Sequence, residues 1–383
     1  MPSDFTSEPD AHAQPERRGS RLLVVLPSWI GDAVMATPSV RLLRECLPGW
    51  FIGGLMRPGI DQLLAGIELF DEEHVGRAVG VMGPKRVAQK LRPRRYDIAL
   101  LMTNSFSTAL ITRIAGIPRR IGYDRDGRGI LLTERLQPLK RKDVTPYNRS
   151  STNPGAWAPV PACEYYDRLS RHLLSELGQH PPAMGPLELA LTASDELDAH
   201  ACLARVCPDA LDQSSTRPNV LLIPGGNNPA KRWPADRFAA LADWLARNRG
   251  ARVLISGAPN EAELVADVAS RCASDTPAFD LTSTRMSLGA LKGVIARCKL
   301  VVTNDTGPRH IAAALGVPVV TLFGPTDHRW TTIPFDEEIR LLADPKLPEE
   351  EVANDHPERC AIDNIGLGDA CAACAKLLTE APV

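Results

Sequence analysis

Short apolar runs alternate with segments whose apolar positions recur every three or four residues, and the alternation continues along most of the chain. The run 22–26 (LLVVL), closed by Pro27, predicts a buried parallel strand. A loop containing Gly31 and Asp32 follows, then a helical pattern over 33–46. Residues 51–56 and 96–102 read as further strands, the second followed by a helix carrying Leu110, Ile111 and Ile114. The second half restarts the pattern. A strand at 220–223 ends in the turn Pro224-Gly225-Gly226, and a helix opens at Trp233-Pro234 and closes at Gly250. Strands at 252–256, 279–282, 300–303 and 317–323 then alternate with helices at 261–271, 288–297 and 308–315. Strand–helix alternation at this spacing predicts the α/β class with parallel sheets.

Prolines and asparagines crowd the middle of the chain. Residues 138–161 read as a mobile loop and 180–186, with Pro181, Pro182 and Pro186, as a linker. The expected organisation is a disordered tail at 1–20, one α/β domain at 21–182, a second at 187–338, and a tail at 339–383 packing back on the first. Such a pair of domains binds ligands between them, at the carboxyl ends of the strands.

Composition narrows the classes. With 383 residues, 44% hydrophobic and 23% charged, the chain has the make-up of a globular protein with real cores. A net charge of −2 argues against a nucleic-acid partner held by bulk electrostatics. No run approaches the ~20 apolar residues of a membrane span. The polar N-terminal segment lacks a signal-peptide core, so a cytoplasmic protein is expected. Nine cysteines, an odd number, do not read as a disulfide scaffold.

Three places carry candidate chemistry. In Asn304-Asp305-Thr306-Gly307-Pro308-Arg309-His310 a strand hands over to a helix. Free backbone N–H groups there would point into the cleft, where a pyrophosphate could sit, although Asp305 or Thr306 could equally serve as a plain helix cap. In Gly225-Gly226-Asn227-Asn228-Pro229-Ala230-Lys231-Arg232 a glycine turn precedes a lysine able to neutralise a phosphate, or a solvated basic turn. Asp32 stands where the first strand meets the first helix, the address of a general base or again of a cap.

The string Leu26-Pro27-Ser28-Trp29-Ile30-Gly31-Asp32-Ala33-Val34-Met35-Ala36-Thr37-Pro38 resembles the amino-terminal signature of the bacterial ADP-heptose:lipopolysaccharide heptosyltransferases. The 304–310 segment with Phe323-Gly324-Pro325-Thr326-Asp327, the turn Lys231-Arg232-Trp233-Pro234 and the string Arg120-Ile121-Gly122-Tyr123 are also similar to theirs, in the expected order. The resemblance implies a GT-B fold and an inverting transfer from ADP-heptose to a lipid-anchored saccharide, with no metal or other cofactor and with peripheral contact at the inner membrane face. It implies Asp32 as general base and Lys231 on the donor phosphates. The Asp305, Thr306, Gly307 turn with His310 would lie at the pyrophosphate and sugar, and Glu261 on the ribose. Arg120 and Tyr123 would lie on the acceptor side; from its charges, the segment with Arg119, Arg120 and Arg128 reads as a basic acceptor-side loop or as an ordinary solvated charge run.

Two features stand apart. Arg309 occupies a place expected to be apolar, and reads as a phosphate contact or a solvated helix residue. His356, Cys360, Cys371 and Cys374 have spacing that could encircle zinc, or could be reduced thiols. Asp124-Arg125-Asp126 superficially matches an acidic metal site, but its neighbours Arg119, Arg120 and Arg128 would compete with a cation. A dinucleotide-dependent dehydrogenase lacks its glycine fingerprint here, and a transferase using another nucleotide sugar or a non-catalytic nucleotide-sugar binder remain the competing readings.

Overall fold

The computed structural model describes residues 19–149, 153–212 and 214–380, so the expected tail at 1–20 falls, as far as residue 18, outside the described residues. The first domain is built on strands β1 (Arg21–Val25), β2 (Phe51–Met56), β3 (Glu72–Val75), β4 (Ile98–Leu101), β5 (Arg119–Tyr123) and β6 (Glu134–Leu136), in the order β3-β2-β1-β4-β5-β6. Its helices are α1 (Ile30–Met35), α2 (Thr37–Cys46), α3 (Ile60–Leu64), α4 (Gly83–Leu91), α5 (Phe106–Ala115) and α6 (Ala162–Glu176). All strand pairs are parallel, with Leu22 opposite Ile52 on one side and Ile98 on the other. The central strands are apolar on both faces because helices cover both.

Helix α7 (Ala193–Val206) leads into the second sheet, made of β7 (Asn219–Ile223), β8 (Arg252–Ile255), β9 (Phe279–Asp280), β10 (Leu300–Asn304), β11 (Val319–Phe323) and β12 (Glu338–Leu342). The order is β12-β11-β10-β7-β8-β9, again parallel. Helices α8 (Ala235–Arg249), α9 (Ala262–Arg271), α10 (Leu288–Ile295), α11 (Gly307–Ala314) and α12 (Leu367–Glu380) complete the domain. Gly250 ends α8 in the left-handed region, as expected of a C-terminal glycine.

The expected tail at 339–383 is corrected. Residues 338–342 form the sixth strand, pairing with β11 from Val319 opposite Glu338 to Phe323 opposite Leu342. Helix α12 lays Ala370, Cys371, Cys374 and Leu377 on the outer face of the second sheet, in one core with Trp233, Phe238 and Leu322. An amphipathic helix buries its stripe on the nearest uncovered sheet face, and here that face belongs to its own domain. The segment before α12 does reach the first domain, where Val352 packs on Tyr147 and Ala158 and Asp355 pairs with Arg141.

A second apolar core runs continuously from the first sheet through α1, α2 and α6 into α10 and α11. Lys292 of α10 is fully buried within this junction. Its ammonium donates to Ala65 O at 3.1 Å and Ala190 O at 2.9 Å and pairs with Asp195 at 2.9 Å, tying both domains to the connecting segment. The linker at 180–186 is largely exposed, and packing begins just after it: Leu187 and Leu189 are buried, and the Arg41 guanidinium donates twice to Glu188.

Candidate active site

Asp32 sits on the third residue of α1, directly beyond the end of β1. Its carboxylate caps nothing: Trp29 is the N-cap and no side chain closes the helix start. Instead Asp32 Oδ1 accepts a hydrogen bond of 3.0 Å from the Tyr166 hydroxyl on α6. Burial pushes the Asp32 pKa up; the Tyr166 hydrogen bond works against that, and the charge of Asp305 adds to it.

Across the cleft, the turn between β10 and α11 carries Asp305. Thr306 is the N-cap of α11, but its hydroxyl meets Thr303 at 3.0 Å and does not close the helix. The first N–H groups of α11 therefore have no side-chain cap, the arrangement that suits an anion. Asp305 Oδ2 pairs with Lys231 Nζ at 2.9 Å, while Oδ1 takes the Thr331 hydroxyl at 3.1 Å and faces Arg309 at 3.4 Å. Burial alone would raise this carboxyl, but Lys231 and Arg309 outweigh it and hold the pKa below its ordinary value. Two carboxylates facing one cleft are thus pushed in opposite directions. Such divergence separates a proton acceptor from a group that stays charged.

Helices α1 and α11 touch. A Cβ on Gly31 would lie 2.7 Å from His310 Nδ1, and one on Gly307 would lie 3.0 Å from Ile30, so only glycine admits this approach. His310 is buried and neutral, its pKa pushed down to about 4 by burial and by Arg309. Its Nδ1 donates to Thr306 O at 3.1 Å, leaving Nε2 to face Arg309 at 3.4 Å. His310 thus stiffens the turn.

The glycine turn after β7 is tied from below. Glu261 accepts from Gly226 N at 2.7 Å and from Ala258 N at 2.8 Å, so its carboxylate links the turns that follow β7 and β8. Asn304 donates to Pro224 O and Gly225 O, both at 2.9 Å, and accepts from Trp233 N at 3.2 Å. Asp305, Thr306, Gly307, His310, Lys231 and Glu261 therefore stand together on one domain, facing Asp32 on the other.

Other expectations are corrected. Arg120 is spent on backbone, donating to Leu131 O at 2.7 Å and Ile117 O at 2.6 Å. Tyr123 is buried, stacked on Tyr165 at 3.8 Å and donating to Tyr165 O at 3.0 Å. Tyr123 is an internal support of the first domain, and half-buried Arg120 is tied to that domain's backbone. The expected basic loop also dissolves. Arg119 pairs with Glu134, and Arg128 is wholly buried, donating to Tyr123 O, Thr103 O and Asn104 Oδ1. Arg309 is neither solvated nor free for phosphate, because its guanidinium grips Glu338 of β12 at 2.6 and 3.0 Å. Of the two readings of the C-terminal His and Cys residues, the zinc one fails. His356 pairs with Glu351 at 3.1 Å, Cys371 and Cys374 lie in the α12 core with thiol pKa values raised by burial, and Cys360 is buried separately. Among the described residues no group of three or more His, Cys, Asp or Glu side chains could hold a metal ion.

Tyr166 and Glu338 escaped sequence reading. Tyr166 lies 134 residues from Asp32, and its only local signal is an amphipathic helix. Glu338 gave no sign of itself beyond the apolar residues that follow it.

Two Rossmann-like domains meeting at their strand carboxyl ends, with one carboxylate facing an uncapped helix start, give the GT-B fold of glycosyltransferases. The chain belongs to glycosyltransferase family 9 (heptosyltransferase), whose model matches residues 85–146 and 171–360. It is 30% identical over 334 residues to lipopolysaccharide heptosyltransferase 2 of Salmonella typhimurium, covering 84% of this chain and 87% of that one. The structure of E. coli ADP-heptose lps heptosyltransferase II superimposes with a TM-score of 0.73 at 24% identity, over 94% of this chain and 99% of that one. A family 9 glycosyltransferase from Veillonella parvula gives a TM-score of 0.75 at 21% identity, over 94% and 98%. Among the described residues no helix is long and apolar enough to cross a membrane.

Proposed function

We propose that this enzyme transfers heptose from ADP-heptose, with inversion at the anomeric carbon, to a hydroxyl of the lipopolysaccharide inner core. What supports the reading is one relationship: a buried carboxylate, Asp32, faces the Lys231–Asp305 pair and the uncapped start of α11 across a cleft narrow enough for the two helices to touch. In the proposed step the acceptor hydroxyl attacks the anomeric carbon as Asp32 takes its proton, and the bond from that carbon to the phosphate oxygen breaks. The electron pair leaves with ADP, whose charge is met by Lys231 and the α11 N–H groups. Glu261 and His310 hold the turns on which this depends. The sugar and the acceptor class are those of the lipopolysaccharide heptosyltransferase 2 to which the chain is similar.

The acceptor is lipid-anchored in this reading, so the enzyme would work against the inner membrane face. The loop between β3 and α4 supports such contact: Val79, Val81 and Met82 are exposed there, with Arg77, Lys85 and Arg86 exposed around them. The test of the whole reading is transfer by purified enzyme from ADP-heptose to inner-core saccharides with and without a first heptose, with product anomer assigned by NMR, with and without EDTA. Transfer of opposite anomeric configuration, undiminished by EDTA, is expected. Transfer from another nucleotide sugar and none from ADP-heptose would overturn it.

A further inference from the structure

Tyr166 belongs to a row of tyrosines in ring contact, Tyr123 and Tyr166 buried and Tyr165 half-buried, with distinct duties. Tyr123 stacks on Tyr165, and the Tyr165 hydroxyl donates to Asn104 Oδ1 at 3.0 Å, which also takes Arg128 at 3.2 Å. That set is directed inward, into the first domain. Tyr166, edge-on to Tyr165 with ring centroids 6.0 Å apart, turns the other way and sends its hydroxyl to Asp32. The Tyr166 ring is almost fully enclosed, so its hydroxyl has a single fixed direction, and Asp32 is its acceptor.

We propose that Tyr166 is the positioning residue of the reaction, fixing the Asp32 carboxylate by one oxygen so that the other is presented to the acceptor hydroxyl. A carboxylate on a short side chain can rotate, and only one of its oxygens is held by this bond. An attacking hydroxyl and a basic oxygen must meet within about 3 Å, so fixing that rotation raises the share of productive encounters. The bond has a second consequence. A hydroxyl donating to the charged form favours it. The titratable groups facing Asp32 are Tyr166 and Cys163 from α6, and Asp305 and His310 from the turn and helix opposite. Asp305 disfavours its charge, His310 is neutral, and the Cys163 thiol is pushed up to about 12 and stays uncharged. Tyr166 is the group that opposes the burial cost. Its own pKa is pushed well above 10 by burial and by Asp32, so it remains a donor throughout the working range.

The proposal rests on Asp32 being the base, and its test separates the two. Tyr166→Phe keeps the ring and removes the hydroxyl. Tyr165→Phe is the matched control, losing a hydroxyl that reaches Asn104 rather than Asp32. Steady-state rates across pH, with donor affinity by calorimetry as the check on folding, are read for both variants and for Asp32→Asn. The expected result is an acid limb of kcat moved to higher pH in Tyr166→Phe alone, about tenfold lower turnover at the acid end, and donor affinity within about twofold; a hydrogen bond to a charged group is worth roughly that factor or more. A Tyr166→Phe profile that superimposes on the parent, or one matched by Tyr165→Phe, overturns the positioning role while Asp32 keeps its own. An Asp32→Asn enzyme that retains turnover removes the base, and Tyr166's role with it.

Discussion

Lys231 Nζ lies 2.9 Å from Asp305 Oδ2, and Asp305 has a second cation, Arg309, on its other oxygen. A diphosphate entering the turn competes with Asp305 for the lysine. Arg309 and Thr331 remain on Asp305 Oδ1, so that carboxylate keeps a partner when Lys231 turns to phosphate. Lys231→Ala should therefore weaken ADP by about 10- to 100-fold, a charge-assisted contact being worth ~1.5–3 kcal/mol. Adenosine, which has no phosphate, should bind nearly as before. Calorimetry with both ligands checks this, and equal losses would remove Lys231 from the phosphates.

Asp32 predicts a trade between activity and stability. Its pKa is raised in the fold above the ordinary 3.8, by burial first and Asp305 afterwards. The folded state thus binds a proton more tightly than the unfolded chain. The stability this contributes is present below 3.8 and lost as pH rises through the raised folded value. Asp32→Asn removes the buried charge, keeps an oxygen for the Tyr166 hydroxyl, and should melt higher than the parent at neutral pH. Turnover should fall by ~10²–10⁴, the usual worth of a general base. A variant that melts earlier yet retains kcat would mean that Asp32 serves the fold instead.

The β-α alternation was legible because parallel strands buried on both faces are continuous apolar runs, and the turns at Gly225, Asp305 and Asp32 carried their own chemistry. Side-chain direction was not legible. Arg120 and Tyr123 were expected on the acceptor side from the resemblance and Arg128 from its charge, whereas packing buries Arg128 and Tyr123, and backbone carbonyls take both guanidinium groups. Arg309 shows the same limit: its partner Glu338 stands 29 residues on, at the start of a strand that the apolar pattern does not announce and whose remaining residues fall in the expected tail. Pairings across that distance depend on sheet order, which a single sequence does not display. Tyr166 was hidden for the same reason.

The Arg309–Glu338 pair gives a stability prediction. Both side chains are buried, Glu338 also accepts the Thr321 hydroxyl at 2.6 Å, and burial, which would raise the Glu338 pKa, is outweighed by Arg309. Removing Arg309 leaves the buried Glu338 carboxylate without its guanidinium, whereas removing Glu338 leaves Arg309 its contacts to Asp305 and Thr331 O. Arg309→Met alone should cost about 3–5 kcal/mol and Glu338→Gln less, while the double replacement should recover much of the larger loss. Urea unfolding of the three variants closes the cycle, and additive losses would show that the two charges do not depend on one another.

The loop between β3 and α4 places three exposed apolar side chains within four residues. Single exposed apolar residues are ordinary, but Val81 is 97% and Val79 61% exposed, with Met82 beside them and Arg77, Lys85 and Arg86 on either flank. This combination suits the headgroup boundary of an anionic membrane, where each buried CH₂ contributes ~0.8 kcal/mol and each nearby cation about 1 kcal/mol. Vesicles of phosphatidylethanolamine with phosphatidylglycerol should sediment the enzyme, and vesicles of phosphatidylcholine alone should do so less. Replacing Val79, Val81 and Met82 by Asp should lower partitioning at least tenfold, and added salt should weaken the parent's binding as the flanking cations are screened. Leu197→Asp is the matched control, because Leu197 is 72% exposed on α7, at the start of the second domain. Transfer to a short, lipid-free core saccharide should be unaffected by the triple replacement, since the loop lies beyond the end of β3 and Asp32 beyond β1, two strands away. Equal partitioning of the triple variant and the parent would show that this loop does not dock the enzyme, whatever the fate of the transfer reaction.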